Sequence, residues 1–160
     1  MDANIKASVL RKMTYGLWVL AADHQGDREA STVTWVSQAS FHPPLIMVGL
    51  RIGSHLHDVT TQAGAFALHL LHAGQKDVAA AFIKPTEVTP ERIGGYAFAP
   101  GKVTGAPILE GFSCWMEARV VDTVRRGDHA VLIAEVVDAG QSDASAQSLV
   151  LATTGWNYGG

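Results

Sequence analysis

The stretch Ser31–Leu50, "STVTWVSQASFHPPLIMVGL", reads as two β-strands separated by a Pro-Pro step. Proline donates no N–H and restricts the residue before it, so Pro43-Pro44 cannot continue a ladder and must turn the chain. The half before the turn carries Ser31, Thr32, Thr34, Ser37 and Ser40 around Trp35, where a plain core strand would carry Val, Ile or Phe. One strand is expected from Ala30 to Gln38. Period-two alternation puts Thr32, Thr34 and Val36 on one of its faces and Val33, Trp35 and Ser37 on the other. Thr is a good strand residue, so on its own the pattern reads first as a strand with an exposed hydroxyl face; since neither face is wholly apolar, it also suits a partly buried polar partner.

Working outward, Lys6–Met13 is expected to be a short amphipathic helix. "GLWVLAAD" from Gly16 is strand-like and ends in the turn "HQGDRE". After the Pro-Pro step comes the strand "LIMVGLR". Gly53 breaks it, and Ser54 is a good N-cap for a helix over "HLHDVTTQAG". "AFALHLLH" reads as another strand and "KDVAAAFIK" as a helix closed by Pro85. The segment Pro85–Pro107, rich in proline and glycine, is expected to be a long irregular connection, and such connections are more often functional than idle. "FSCWMEARVVDTVRRGDHAVLIAEVVDA" predicts a long hairpin turning at Arg-Gly-Asp, and "SLVLAT" a last strand.

The 160 residues favour one domain, 1–160, able to bury a core without staples. A net charge of -3 gives no electrostatic case for nucleic acid or an anionic membrane. The apolar runs are strand-length, short of the roughly 20 residues of a membrane span, and the first residues lack the apolar core of a secretory signal. A single cysteine, Cys114, excludes an internal disulfide and a Cys-x-x-Cys pair; inside a strand it is expected to be a small buried hydrophobe. The cytoplasm is the expected location. "GLRIGSHLHD" has neither the G-x-G-x-x-G spacing nor that of a P-loop, so no Rossmann-type nucleotide site is expected.

Six segments taken in order, "TYGLWVLAA", "STVTWVSQASFHPPLIMVGL", "GAFALHLL", "GQKDVAAAFIK", "GAPIL" and "RGDHAVLIAEVVDA", resemble the flavin reductase-like family of FMN-binding split barrels. The "TTGWNYGG" ending resembles that of stand-alone members, and the match runs over about residues 8 to 160. The resemblance implies an all-β fold with short helices: a six-stranded Greek-key split β-barrel that forms a homodimer. It implies FMN as cofactor, with FAD as the alternative, and NADH or NADPH as electron donor. Thr32, Val33, Thr34 and Trp35 would run along the isoalloxazine ring, and Ser37, Gln38, Ala39 and Ser40 around the ribityl chain and phosphate. Arg51 and Ser54 would lie near the phosphate, where a cation and a helix N-terminus both favour a dianion. His55 follows them, and Phe82 to Lys84 would approach the cofactor from the side. Trp156 and Tyr158 are candidates for core aromatics, an interface anchor or a lid over the flavin.

His129, in the "G-D-H" turn, is the residue the resemblance puts beside the flavin where the nicotinamide arrives; Asp128 would orient it. As a residue on its own, a histidine after a Gly-Asp turn is usually a plain turn residue. No metal is expected. His55 and His57 sit two apart on a helix and share no face, His69 and His72 point to opposite sides of a strand, and all four read as solvated or capping. The implied activity is NAD(P)H-dependent flavin reduction, the reduced flavin passing to a monooxygenase, a small redox protein or another acceptor. Two rivals stand beside it: an electron-transfer flavoprotein that keeps its FMN, and a non-catalytic flavin-binding protein.

Overall fold

The computed structural model describes residues 1–159. Helix α1 (Ala3–Leu10) begins three residues before the expected helix, because the Asp2 carboxylate accepts from the amides of Asn4 and Ile5 and so sets its start. β1 (Trp18–His24), β2 (Asp27–Val33), β3 (Val36–Ser40) and β4 (Leu45–Arg51) follow, then α2 (His55–Ala63), β5 (Ala65–Leu70) and α3 (Lys76–Ile83). Next come β6 (Arg92–Ile93), β7 (Tyr96–Pro100), β8 (Pro107–Leu109), β9 (Cys114–Arg125), β10 (His129–Gln141) and α4 (Leu151–Thr154).

The main sheet has seven antiparallel strands in the order β2-β1-β5-β9-β10-β4-β3, rather than the six expected. The difference arises at Ala30–Gln38, expected as one strand and found as two. β2 ends with Val33 paired to Trp18, and β3 begins with Val36 paired to Val48. Between them the Val36 amide donates to the Thr34 carbonyl, and the Trp35 carbonyl accepts from Gly49 at 2.8 Å. The chain thus leaves one edge of the sheet and joins the other across a two-residue corner, which rolls the sheet upon itself. Gly49 makes the corner close: a Cβ there would lie 3.0 Å from the Trp35 ring.

Two cores result. Leu20, Val48, Leu50, Phe66, Leu68 and Leu132 pack inside the rolled sheet with Leu56 and Val59 of α2. Leu17, Val19, Leu71, Phe82, Ile93, Leu109 and Phe112 form a second core outside it, under α3 and the β6–β8 sheet. β1 alternates between them, Val19 and Ala21 outward and Leu20 and Ala22 inward, which accounts for its unbroken apolar run.

Three further expectations are corrected. Pro85–Pro107 is not irregular throughout, since it folds into β6 and β7 and leads into β8. "SLVLAT" forms no strand: Ser148 and Val150 make isolated bridges to His72 and Gly16, and Leu151–Thr154 turn into α4. His69 is not solvated but fully buried, in a strand covered on both faces. Its Nδ1–H donates to the Val19 carbonyl and its Nε2 accepts from the Leu109 amide at 2.8 Å, so the ring is held neutral and burial lowers its pKa to about 4. His57 is likewise buried. Cys114 is half-buried, its thiol donating to the Asp143 carbonyl.

Candidate active site

The corner at Thr34–Trp35 stands at the head of a cavity of about 820 Å³, within the roughly 300–1,000 Å³ of small-molecule sites. Its apolar wall comes from Leu17, Val33, Leu50, Leu56, Ile83, Leu151 and Trp156. Its polar wall comes from Ser31, Thr32, Thr34, Arg51, Ser54 and Lys84.

Each polar group is placed by its element. The Ser31 hydroxyl donates to the Phe82 carbonyl and that of Thr32 to the Ala79 carbonyl, both at 2.9 Å, so the hydroxyls of β2 fasten the C-terminal turn of α3 over the sheet edge. This holds Ile83, Lys84 and Pro85 in the cavity wall. Ser54 caps α2 by accepting from His57, and its own hydroxyl donates to the Arg51 carbonyl at 2.8 Å. Ser54, His55 and Leu56 therefore bring the head of a nine-residue helix to the cavity, and the first-turn amides of a helix favour an anion. Among the described residues neither Arg51 nor Lys84 has a carboxylate within ion-pair distance. Trp35 Nε1 is buried, with no hydrogen-bond partner among the described residues.

His55 is differently engaged. Its Nδ1 meets Glu29 at 2.9 Å and its Nε2 meets Asp27 at 3.0 Å. The Glu29 hydrogen bond foremost, against some desolvation, and Asp27 with it raise the pKa above the usual histidine value.

His129 stands behind Trp35, their ring centroids 4.5 Å apart. Its Nδ1 lies 2.9 Å from the Asp128 carboxylate and its Nε2 lies 2.8 Å from the Tyr158 hydroxyl. The hydrogen bond to His129, then its charge, lowers the pKa of Asp128. Arg51 pairs directly with His129 across β4 and β10. Burial raises the pKa of Tyr158, whose ring also packs edge-on against Trp35.

Nine of the fourteen residues expected around a cofactor thus line one cavity: Thr32, Val33, Thr34, Trp35, Arg51, Ser54, His55, Lys84 and Trp156. Five do not. Ser37, Gln38, Ala39 and Ser40 lie on β3, past the corner, on the uncovered edge of the sheet. Phe82 is fully buried in the second core, beside Tyr96 and Phe112, and does not line this cavity. His129 touches the lining residues Trp35 and Tyr158 without lining the cavity itself. Glu29 and Gly49 were not expected there. The signal for Gly49 was a lone glycine inside an apolar strand, which marks a close approach. Among the described residues no group of three or more His, Cys, Asp or Glu side chains is arranged to hold a metal, and no helix is long and apolar enough to cross a membrane.

The chain matches the family model described as the flavin reductase like domain over residues 10–159. It is 33% identical over 138 residues to the NADH-dependent flavin reductase StyB of Pseudomonas fluorescens, a match covering 85% of this chain and 77% of the relative. The solved structure of the styrene monooxygenase flavin reductase from Pseudomonas putida superposes with a TM-score of 0.73 at 34% identity, over 92% of this chain and 91% of that one. A probable flavin reductase of Rhizobium meliloti is 32% identical over 118 residues, 74% of this chain and 37% of the relative. The chain spans less than half the length of some curated relatives it matches. The chain belongs to the flavin reductase like domain family.

Proposed function

We propose that the cavity at the Trp35 corner binds FMN and that the chain is an NADH-dependent flavin reductase. The observation that carries this reading is one cavity joining an apolar wall to two cations, Arg51 and Lys84, with no carboxylate within ion-pair distance among the described residues, at the head of α2. That donor set fits a ligand with a broad aromatic body and a dianionic end. NADH is favoured as donor because relatives are named for it.

Arg51, Lys84 and the first-turn amides of α2 hold the phosphate. Thr34 and Trp35 flank the ring, while Leu17, Leu50, Leu56 and Trp156 keep water from it. Bound FMN supplies the ring that accepts a hydride from the nicotinamide. Alignment of the two rings is the main demand on the protein, since the cofactors carry the chemistry. His129 is held by Asp128 at Nδ1, so the proton sits there in the neutral ring and Nε2 is the atom available for exchange. With a second proton on Nε2 the ring is an imidazolium, and a hydrogen bond from that N–H as negative charge develops accelerates the step without tightening ground-state binding. His129→Ala is expected to slow anaerobic reduction on the order of ten- to a thousandfold with FMN affinity nearly unchanged. An unchanged rate constant would reduce His129 to a structural residue of the hairpin.

Reduced flavin would leave for a second protein, as in a two-component monooxygenase, or for another acceptor. Steady-state NADH oxidation with added free flavin separates the reductase from a carrier that retains its FMN: the reductase turns over, the carrier does not. We also infer a split-barrel homodimer, because the uncovered edge strand β3 runs beside exposed Met47 of β4 and leads into exposed Phe41. Sedimentation at micromolar concentration giving a monomer would remove the dimer.

A further inference from the structure

Almost every wall of the cavity is fixed by sheet pairing, by a helix or by the cores; the segment after α4 is the exception. Gly155 ends α4 with a φ of 76°. The Trp156 amide donates to Thr154 Oγ1, and its ring packs on the second core with Lys76 above it. Beyond Trp156 the anchors are few. Among the described residues no backbone–backbone hydrogen bond involves residues 156–159, and Arg11 reaches the Gly159 carbonyl only at 3.4 Å. Tyr158 nevertheless lines the cavity, and its one hydrogen bond, 2.8 Å, goes to His129 Nε2. In the neutral ring Nδ1–H donates to Asp128, so the Tyr158 hydroxyl donates to Nε2 and occupies the one free nitrogen of His129.

We propose that Tyr158 is a latch that controls entry of the nicotinamide donor, pivoting at Asn157 and holding the tail over the cavity until the donor displaces it. The inference rests on the FMN reading above. Two stacked ring systems must share the cavity during reduction, and the tail is the wall with the least to lose by moving. Release of Tyr158 opens the Trp35 side of the cavity and frees His129 Nε2 in the same movement. Asp128, Arg51 and Tyr158 are the charged or titratable groups around His129.

The test is Tyr158→Phe, which keeps the ring against Trp35 and removes the hydroxyl. Calorimetry of FMN-loaded protein with NAD⁺, which does not react, is expected to show two- to about tenfold tighter binding in the variant, the range of one lost competing hydrogen bond. KM for NADH should fall by a similar factor with kcat within about twofold, as for an interaction that opposes binding alone. In apoprotein labelled with ¹⁵N-histidine, the Nε2 resonance of His129 should shift in the variant while Nδ1 stays protonated. A chain ending at Asn157 should behave likewise. Equal or weaker NAD⁺ binding in Tyr158→Phe overturns the latch while leaving the reductase reading intact. Wild-type protein that fails to bind FMN overturns that reading, and the latch with it.

Discussion

Under the loop from Gly101 to Ala106, Glu117 is fully buried and accepts from the amides of Val103 and Thr104 and from the Thr104 hydroxyl. A Cβ at Gly101 would collide with its carboxylate, so the loop wraps the side chain closely. His69 nearby spends both ring nitrogens, on Val19 and Leu109. At the Trp35 corner the opposite holds: among the described residues Arg51 and Lys84 have no carboxylate within ion-pair distance. Polar groups that are fully engaged inside a fold act as staples, and removing one partner strands the others. Polar groups left open around a cavity are what a ligand has to satisfy.

The largest effect should come from breaking a staple. Glu117→Ala strands three donors, and thermal or denaturant unfolding should show a loss of about 4 kcal/mol, with FMN affinity of the folded protein retained. A comparable loss of FMN affinity in folded protein would erase the distinction between the two regions.

Acid should act on the same region. Burial lowers the pKa of His69 from 6.5 to about 4, so between those values the unfolded chain takes up a proton that the folded chain refuses. Stability is therefore lost progressively as pH falls from 6.5 to 4, by about 3 kcal/mol in all. Glu117 acts in the same direction at lower pH. Burial pushes its pKa up, but the hydrogen bonds from Thr104 and the loop amides prevail and hold it below the ordinary carboxylate value. Its stabilisation is present above the unfolded value and lost as pH falls through the folded one. Denaturant titrations at several pH values check this, and His69→Gln should flatten the upper part of the profile.

At the corner the effects should fall on binding. Arg51→Ala should weaken FMN about thirtyfold, as for loss of a charge-assisted contact, leave riboflavin within about twofold, and barely move the melting temperature. Equal losses for the two ligands would take Arg51 away from the phosphate. The smallest effect is expected at Ser37: Ser37→Ala should change FMN affinity less than about twofold, because β3 leads away from the cavity.

What could be read from the sequence was what local rules determine. Ser54 as the cap of α2, α3 before Pro85, and the β9–β10 hairpin each follow from a few neighbouring residues. The break at Thr34–Trp35 does not. Alternation runs through it undisturbed, and the corner exists because Gly49, fourteen residues on, lets Trp35 approach the sheet. Ser37 to Ser40 were therefore assigned to the same ligand as Thr32 and Thr34. Thr32 is expected along a ligand, yet its hydroxyl and that of Ser31 close α3, about fifty residues away in the chain. His69 was read as solvated because alternation presumes one wet face, and β5 has none. The Tyr158–His129 contact joins the tail to the hairpin beside the Trp35 corner, and no spacing rule announces it.

Anaerobic titration of the FMN-loaded protein with NADH, followed by its absorption spectrum, tests the central claim most directly. The account predicts that FMN binds one per chain and that its oxidised absorption band bleaches with one equivalent of NADH. FMN that binds but keeps its oxidised spectrum in excess NADH would contradict it.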